Sequence, residues 1–184
     1  MRVITGVARG RRLLTVPGNE LVRPTSEKVK EALFSSIQFD IEGRRVLDLF
    51  AGCGQLGIEA LSRGAATATF VDSSDVSLNV VKKNLDSVGL SDNAIVMRSD
   101  YSTFLMHCNE IFDFAFLDPP YNSGILLDAL EKTVGKMSDY GKIFCEHPSN
   151  CSLPESVGDF KVFKAYKYGK ISLTVYAKKE ALDE

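Results

Sequence analysis

Residues 118–121, Asp-Pro-Pro-Tyr, are the part of the sequence whose residue types most directly suggest chemistry. They end the apolar run 112–117, which has the composition of a buried strand, because proline cannot donate to a sheet ladder. A strand end followed by an Asp-initiated turn would by itself account for Asp118 and the prolines. The added aromatic residue suggests a second role, since the ring of Tyr121 can stack on a nucleobase while the carboxylate accepts hydrogens from the base's amine.

The exocyclic amine of a nucleobase is a poor nucleophile because its lone pair is delocalised into the ring. A carboxylate and a backbone carbonyl that accept its two hydrogens favour a pyramidal nitrogen, whose lone pair can then attack a methyl group. The prolines stiffen the loop and bring no N–H to compete for these acceptors. We therefore predict Asp118, Pro119, Pro120 and Tyr121 as catalytic residues for the methylation of a nucleobase amine.

A glycine-rich segment, Gly-Cys-Gly-Gln-Leu-Gly at 52–57, follows the first strand of the predicted sheet. Glycine tolerates positive φ and lets a ligand approach the backbone closely, and the G-x-G-x-x-G spacing at the start of a helix is typical of nucleotide cofactor sites. The next strand ends at Asp72, twenty residues after Gly52, where a carboxylate can accept a hydrogen bond from a ribose hydroxyl. The same pattern also suits a dinucleotide, or a tight strand–helix turn with an incidental acid.

Three successive strands of the predicted sheet end in an acid, at Asp48, Asp72 and Asp100. Open α/β sheets bind ligands at the carboxyl ends of their strands, so these side chains should surround one site. Negative charge there favours a cationic ligand over a pyrophosphate, and the glycine-rich segment holds no basic residue. A ligand with an amino-acid head, a ribose and an adenine fits these features, and we infer that the cofactor is S-adenosylmethionine.

The elements that must position these residues alternate regularly between strand and helix from Arg45 onward, which predicts an α/β fold with a mostly parallel sheet covered on both faces. A helix over 23–37 and a hairpin-like arm of two short strands, joined through residues 6–12, precede this alternation. A final hairpin around Tyr168-Gly169-Lys170 must add at least one antiparallel strand. The predicted strands are 45–51, 66–72, 94–100, 112–118 and 140–147, and the predicted helices are 56–64, 74–89, 101–108 and 124–137.

The length of 184 residues predicts a single domain, with an arm and helix in 1–40 and a catalytic core in 44–180. The net charge of −2 disfavours a generic polyanion binder but hides an asymmetry. Residues 1–45 carry nine Lys or Arg against five acids, residues 160–179 carry six lysines and no acid, and residues 46–159 carry seven basic and sixteen acidic residues. Two basic ends flanking an acidic centre indicate either an uneven solvated surface or a basic patch, assembled from both ends, around an acidic small-molecule site.

The cysteines and histidines give no sign of a metal site or a disulfide framework. Cys53, Cys108, Cys145 and Cys151 form no C-x-x-C pair, and His107 and His147 belong to no ligand-spaced cluster. The N-terminus carries no apolar stretch typical of a signal peptide, and no run approaches the ~20 apolar residues of a membrane helix. We therefore expect a cytoplasmic protein without a metal.

The motifs DLFAGCGQLGIEALSRGA, VD, SD and DPPY, in this order, resemble those of class I S-adenosylmethionine-dependent methyltransferases of the amino-methylating type. The segments RVITGVARGRRL, RPTSEKVKEALF and KYGKISLTVY resemble more narrowly the RsmD-type enzymes, which methylate a guanine N2 of bacterial 16S rRNA. The resemblance covers nearly the whole chain. It implies a Rossmann-like fold with a seven-stranded, mostly parallel sheet, one reversed strand near an edge and a C-terminal antiparallel hairpin. The chain departs from the family pattern at Cys53, where serine is usual, and at Gln55, where a smaller residue is usual.

The resemblance also implies the residues of the two binding sites. The expected cofactor contacts are Asp48, Phe50, Ala51, Gly52, Gly54, Asp72, Ser73, Asp100 and Tyr101. The expected substrate contacts are Arg9, Arg11, Arg12, Arg23, Thr25 and Tyr121. Arg9, Arg11 and Arg12 either bind RNA phosphates or solvate a hairpin, and Thr25 would also be accounted for as a helix cap. The four lysines 161, 164, 167 and 170 extend the basic surface or belong to an ordinary exposed strand.

We thus predict a methyltransferase of a guanine N2 amine in 16S rRNA, acting on the free RNA, an assembly intermediate or the small ribosomal subunit. A DNA adenine-N6 methylase is the alternative within the same class, since the Asp-Pro-Pro-Tyr motif permits it equally. A nucleotide-dependent oxidoreductase would use the same glycine loop but leaves Asp100 and the prolines unexplained. A non-catalytic RNA-binding module is a further alternative, which the intact motif disfavours.

Overall fold

An eight-stranded sheet organises the part of the chain that the computed structural model describes, residues 1–18, 27–121 and 124–178. The strands are Arg45–Asp48 (β1), Thr67–Asp72 (β2), Ala94–Arg98 (β3), Phe112–Leu117 (β4), Met137–Pro148 (β5), Ser156–Val157 (β6), Phe160–Tyr168 (β7) and Ile171–Lys178 (β8). The α-helices are Glu27–Ser35 (α1), Gln55–Ser62 (α2), Asp75–Val88 (α3), Tyr101–His107 (α4) and Leu126–Thr133 (α5).

The strand order β3-β2-β1-β4-β5-β8-β7-β6 brings the ends of β1 and β4 together at the centre of the sheet. Strands β1 to β5 run parallel, β8 lies antiparallel between β5 and β7, and β6 pairs antiparallel with β7. The chain reverses its direction of winding between β1 and β4, where Asp48 is in register with Phe116. Such a switch point opens a crevice at the carboxyl ends of the strands.

Side chains from the central strands alternate between two apolar cores, as expected for a sheet buried on both faces. Val46 packs with residues of α1, α2 and α3 on one face, whereas its neighbour Leu47 packs with residues of α4 and α5 on the other. Phe116 and Leu117 of β4 divide in the same way. The helices therefore form layers on both sides of the sheet and hold its carboxyl edge rigidly.

The predicted α/β fold is confirmed, and the strands and helices predicted from Arg45 onward are present with shifted ends. The sheet has one strand more than the resemblance implies, because β6 pairs through only two residues and is too short to leave a sequence pattern. The predicted two-stranded arm is reduced to one isolated bridge between Arg2 and Arg12. The predicted start of the first helix, with Arg23 and Thr25, lies outside the described residues.

The two halves of the arm, residues 1–14, exchange backbone hydrogen bonds, and the arm's backbone also bonds to side chains of α2. The fully buried carboxylate of Glu59 accepts hydrogen bonds from the backbone N–H groups of Ile4 at 2.8 Å and Thr5 at 3.0 Å. The same carboxylate lies 3.3 Å from the Lys30 ammonium and 2.9 Å from Nε of Arg63. Glu59 therefore anchors the arm through backbone bonds that no local sequence pattern indicates.

Asn84 of α3 connects the arm to the glycine-rich segment. Its carboxamide accepts a hydrogen bond from the Leu14 N–H at 2.8 Å and donates to the carbonyls of Leu14 at 3.0 Å and Cys53 at 2.9 Å. Asn84 is fully buried, so these bonds are shielded from water. One side chain thus fixes both the arm and the loop that follows β1.

Among the described residues, no helix is both long and apolar enough to cross a membrane. Residues 1–18, 27–121 and 124–178 also contain no cluster of three or more His, Cys, Asp or Glu side chains arranged to hold a metal ion. Cys145 is buried and Cys151 is exposed, and all four cysteines are free thiols.

Candidate active site

A cavity of about 1810 Å³ opens at the carboxyl edge of the sheet. It is bounded by the ends of β1 to β4, by the turn between β7 and β8, and by Met1, Thr15 and Val16 from the N-terminal segment. The sequence-predicted residues that line it are Asp48, Phe50, Ala51, Gly52, Asp72, Ser73, Asp100, Tyr101, Asp118, Pro119, Pro120 and Tyr121. The strand-end acids and the Asp-Pro-Pro-Tyr motif therefore face one continuous space.

Glycine is required at two positions after β1, Gly54 before α2 and Gly57 within it, for different structural reasons. Gly54 precedes α2 with φ of 80°, a left-handed conformation that favours glycine, and it does not line the cavity. A Cβ at Gly57 would lie 2.3 Å from Cε1 of Phe70, so the third glycine lets α2 pack closely on β2. These two glycines let the backbone turn tightly into α2 and let α2 lie close to the sheet.

Asp72 ties this loop to the end of β2. Its Oδ2 accepts a hydrogen bond from the Gly52 N–H at 2.9 Å, and its Oδ1 accepts one from the Ser74 N–H at 2.8 Å. A carboxylate has about four acceptor positions, so two remain for a ligand. Asp72 is half-buried on the cavity wall, a setting that suits a bond from a ribose hydroxyl.

Asp48 lies under the same loop and is almost completely buried. Its Oδ2 accepts a hydrogen bond from the Gly57 N–H at 2.9 Å. Burial raises the pKa of Asp48 to about 7, with a further contribution from the negative charge of Asp72. At neutral pH the carboxyl is therefore only partly ionised, and a cation in the cavity would favour the ionised form.

Asp100 begins α4 as its N-cap and accepts a hydrogen bond from the Thr103 N–H at 2.9 Å. Hydrogen bonds from Thr103 hold the pKa of Asp100 below its usual range, so it is a carboxylate at neutral pH. The next residue, Tyr101, packs its ring against Phe50 with centroids 5.5 Å apart and donates a 2.8 Å hydrogen bond to Asp128. The rings of Phe50 and Tyr101 form an apolar wall beside the exposed Asp100, suited to a purine ring.

At the other end of the cavity, Tyr121 is held by an acid that the sequence reasoning missed. The Tyr121 hydroxyl donates a 2.6 Å hydrogen bond to Oε1 of Glu146, which lies at the end of β5 and is 4% exposed. Leu117 of β4 is in register with Cys145 of β5, so Asp118 and Glu146 occupy neighbouring positions on adjacent strands. The signal was present, because Glu146 ends an apolar run as the other strand-end acids do.

Burial raises the pKa of the Tyr121 hydroxyl, and the hydrogen bond to Glu146 raises it further. The hydroxyl therefore remains a donor at neutral pH, and the ring is fixed with 43% of the residue exposed. Pro119 is buried while Pro120 is exposed, so the proline pair anchors the loop on one side only. A base that enters the cavity would meet a preset ring beside Asp118.

The basic residues of the C-terminal hairpin divide into two groups. Lys167 and Lys170 line the cavity, because β7 runs parallel to β5 and its turn into β8 lies at the carboxyl edge. Lys161 and Lys164 lie earlier on β7 and do not line it. Of these four lysines, Lys167 and Lys170 are therefore the two at the cavity.

Arg9, Arg11 and Arg12 of the arm are all exposed, and none of the three lines the cavity. Arg9 follows a turn whose Val7 N–H donates to the Ser62 carbonyl at the far end of α2, away from the glycine loop. Arg12 lies nearer the cavity, since its bridge partner Arg2 follows Met1, whose sulfur is 3.6 Å from the Cys53 thiol. Their role in RNA binding stays a prediction.

Comparisons with known proteins agree with this geometry. The family described as "Conserved hypothetical protein 95" matches residues 1–177. The chain is 40% identical to "Putative rRNA methyltransferase YlbH" of Bacillus subtilis over 97% of its own length and 100% of that protein. It is 32% identical to ribosomal RNA small subunit methyltransferase D of Escherichia coli strain K12, over 96% of its own length and 89% of that protein.

Solved structures give the same result. "Putative methyltransferase yhhF" from Escherichia coli superposes with a TM-score of 0.84 at 31% identity, covering 97% of both chains. The sheet order, the cavity and the relatives therefore agree with the resemblance noted in the motifs. The chain belongs to the family described as "Conserved hypothetical protein 95", the family of RsmD-type methyltransferases.

Proposed function

We propose that this chain transfers a methyl group from S-adenosylmethionine to the exocyclic N2 amine of a guanine in 16S rRNA. The observation that carries the proposal is that Asp118 and the acids Asp48, Asp72 and Asp100 line one cavity. A pocket for a single small ligand measures about 300–1,000 Å³. At about 1810 Å³ the cavity has room for a cofactor and for a nucleotide beside it.

The cofactor end fits S-adenosylmethionine better than a dinucleotide. Asp72 retains acceptor positions for ribose hydroxyls, and the tilted rings of Phe50 and Tyr101 give an apolar wall for adenine. Asp48 offers a carboxyl whose ionised form a positive ligand would stabilise, whereas a pyrophosphate would oppose it. When bound, the cofactor supplies a methyl group on a positively charged sulfur.

At the transfer end, Asp118 has the role of accepting a hydrogen from the target amine. Pro119 has no backbone N–H, so it cannot compete with the target amine for a nearby carbonyl oxygen, which can accept the second hydrogen of the amine. Tyr121, held by Glu146, supplies the stacking surface for the base. As the nitrogen gains the methyl group, the bond between that methyl and the sulfur would break and leave a neutral thioether, and the nitrogen would then lose one proton, which Asp118 passes to solvent.

RNA is the favoured substrate because the cavity mouth carries Lys167 and Lys170 on the hairpin side. A target amine must leave its base stack to reach Asp118, and bases in single-stranded loops do so at the lowest cost. Relatives named as ribosomal RNA small subunit methyltransferases support an rRNA target, and guanine N2 follows from the resemblance to the RsmD-type enzymes. DNA adenine-N6 methylation is the second candidate, because the transfer end would accept either amine.

The test supplies labelled S-adenosylmethionine together with unmodified small ribosomal subunits, naked 16S rRNA or duplex DNA. We expect N2-methylguanosine in the nucleoside digest of a ribosomal sample, and no label in DNA. N6-methyladenine from DNA alone would replace the proposal with the second candidate. An Asp118→Ala variant serves as the inactive control.

A further inference from the structure

Tyr166 and Tyr168 form an aromatic pair on the C-terminal hairpin. They are two residues apart on β7, so both side chains lie on the same face of the sheet. Their ring centroids are 6.4 Å apart, and the ring planes differ by 22°. Both residues are half-buried, because they pack on the apolar core beside their register partners, Leu173 and Ile171. The pair is therefore an aromatic surface that rests on the core and is partly open to solvent.

This aromatic pair begins at the wall of the cavity. Tyr168 lines the cavity, whereas Tyr166 lies further from the turn between β7 and β8 and does not line it. The turn is fixed to the end of β5, since the Ser149 N–H donates to the Lys170 carbonyl at 2.9 Å and the Ser149 hydroxyl donates to the Gly169 carbonyl at 3.1 Å. The two rings thus lead from a rigid part of the cavity wall onto the hairpin.

The charge around Tyr168 favours a polyanion. Lys167 and Lys170 are close to it in sequence, and both are exposed and line the cavity. Residues 160–179 contain no acid that would oppose them. Single-stranded RNA combines a phosphate backbone, which lysines attract, with bases that stack on aromatic rings. Aromatic rings beside unopposed lysines are therefore complementary to an unpaired nucleotide.

Tyr168 and Tyr121 border the same cavity but are placed to hold different bases. Tyr121 is bonded to β5 through Glu146, and Tyr168 lies on β7, with β8 between these two strands. Two strand spacings amount to about 10 Å, whereas bases stacked in a helix follow each other at about 3.4 Å. Two nearby bases can therefore reach both rings only in a strand that is locally unstacked.

We propose that Tyr168, with Tyr166 beside it, is a second base-binding site that stacks an unpaired nucleotide close to the target guanine, while Lys167 and Lys170 bind its phosphates. This inference rests on the proposed rRNA substrate. It adds that the enzyme holds two unstacked bases at once. The substrate is then a single-stranded segment of the RNA and not a helix from which one base is extruded.

The experiment measures, by fluorescence anisotropy, the binding of an end-labelled RNA hexanucleotide and of an abasic hexanucleotide with the same charge. The wild type should bind the RNA with bases more tightly. Tyr168→Leu should weaken this binding by about 5- to 100-fold, the equivalent of one lost base stack. Tyr166→Leu should give a smaller loss, and Tyr168→Phe should stay close to the wild type because stacking uses the ring. Binding of the abasic RNA should be unchanged in all three variants, which also shows that they are folded.

Tyr140→Leu is the matched control. Tyr140 is also exposed, but it lies near the start of β5, at the opposite edge of the sheet from the cavity. The control should bind both RNAs as the wild type does. An equal loss of affinity in Tyr140→Leu and Tyr168→Leu would show that bases bind without a defined site, and would overturn the inference.

Combining Tyr121→Leu with Tyr168→Leu tests whether the two rings hold different bases. The effects of independent sites add as free energies, so the two losses of affinity should multiply. A double variant that binds no more weakly than the weaker single variant would mean that both rings contact one base. That result would also overturn the inference.

Two further outcomes would assign Tyr168 to core packing alone. One is that Tyr168→Leu binds the RNA with bases as tightly as the wild type, or loses the same affinity for both RNAs. The other needs no substitution, and is that the wild type binds the two RNAs equally well.

The failure of this inference can be told apart from the failure of the proposed function. If N2-methylguanosine forms in a ribosomal sample and Tyr168→Leu binds both RNAs as the wild type does, only the second base-binding site is refuted. If no ribosomal sample is methylated but Tyr168→Leu loses its preference for RNA with bases, the proposed reaction fails and the base-binding site stands.

Discussion

The hydroxyl of Tyr121 donates a 2.6 Å hydrogen bond to the buried carboxylate of Glu146. Tyr121 follows β4 and Glu146 lies within β5, the neighbouring parallel strand, so this bond crosses from the Asp-Pro-Pro-Tyr loop to the body of the sheet. It fixes the orientation of the ring that is proposed to stack on the target base. The sequence alone assigns a role to the ring and none to the hydroxyl.

This bond changes the expectation for Tyr121→Phe. The sequence predicts a mild effect, because stacking needs only the ring, whereas a hydrogen bond to a charged group contributes about 1.5–3 kcal/mol. We expect Tyr121→Phe to weaken base capture by about 10- to 100-fold in single-turnover assays at saturating cofactor. Glu146→Gln, which keeps an acceptor oxygen, should be less affected than Glu146→Ala. Wild-type behaviour of Tyr121→Phe would show that the ring needs no such anchor.

Asp118→Ala should separate binding from chemistry. Asp118 lines the cavity near the proposed transfer end, beyond the strand that carries Asp48. We expect the methyl-transfer rate to fall by about 10²–10³, the range for removal of one well-aimed electrostatic group. Calorimetry should give an unchanged affinity for S-adenosylmethionine. A fully active variant would mean that the residue only terminates a strand.

The affinity for S-adenosylmethionine should depend on pH through Asp48. Its pKa of about 7 lies above the ordinary value of 3.8, so the folded protein binds a proton more tightly than the unfolded chain does between these values. This group therefore makes folding less favourable as the pH rises from 3.8 to about 7. A bound cation favours the ionised carboxyl, so affinity should fall by up to about tenfold per pH unit below 7 and level off above it. Titration calorimetry across this range should show a flat profile for Asp48→Asn.

The two halves of the C-terminal hairpin should differ in their contribution to substrate binding. Lys167 and Lys170 line the cavity, whereas Lys161 and Lys164 lie outside it on the same strand pair. Replacing the first pair by alanine should weaken rRNA binding and reduce the log–log salt slope by about 0.7–0.9 per lost phosphate contact. The second pair, changed in the same way, is the matched control and should retain the wild-type slope. Equal effects would indicate a diffuse basic surface.

Glu59→Ala should destabilise the fold more than the same substitution at an exposed acid of α1, Glu31, does. The change leaves the Lys30 ammonium buried without its carboxylate and removes the acceptor for the N–H groups of Ile4 and Thr5. Breaking a buried ion pair from one side costs about 3–5 kcal/mol. Glu31→Ala, at an exposed position, should stay within about 0.5 kcal/mol of the wild type in urea unfolding. A small effect of Glu59→Ala would mean that water solvates Lys30 after the change.

The sequence predicts those features that depend on local pattern. Short segments are enough to predict the alternation of strands and helices, the glycine loop and the four acids at the ends of β1 to β4. The cavity lies at the edge of the sheet that these acids indicate. Glu146 obeys the same rule, but it lies within the apolar segment of β5, where the sequence pattern does not set it apart. The contacts of Glu59 join residues more than fifty positions apart, and no local pattern specifies such a pairing.

Asn84 couples the arm to the glycine-rich segment, because its side chain bonds to both. Its carboxamide bonds to both backbone groups of Leu14 and to the carbonyl of Cys53, so movement of either segment away from α3 would leave polar atoms of the same buried side chain without a partner. The amide proton of Leu14 is therefore a natural reporter for a loop that it does not belong to. The exchange of this proton with solvent deuterium should slow when a ligand binds the glycine-rich segment. Ligand binding at that segment should thus also stabilise the arm, since Asn84 bonds to both.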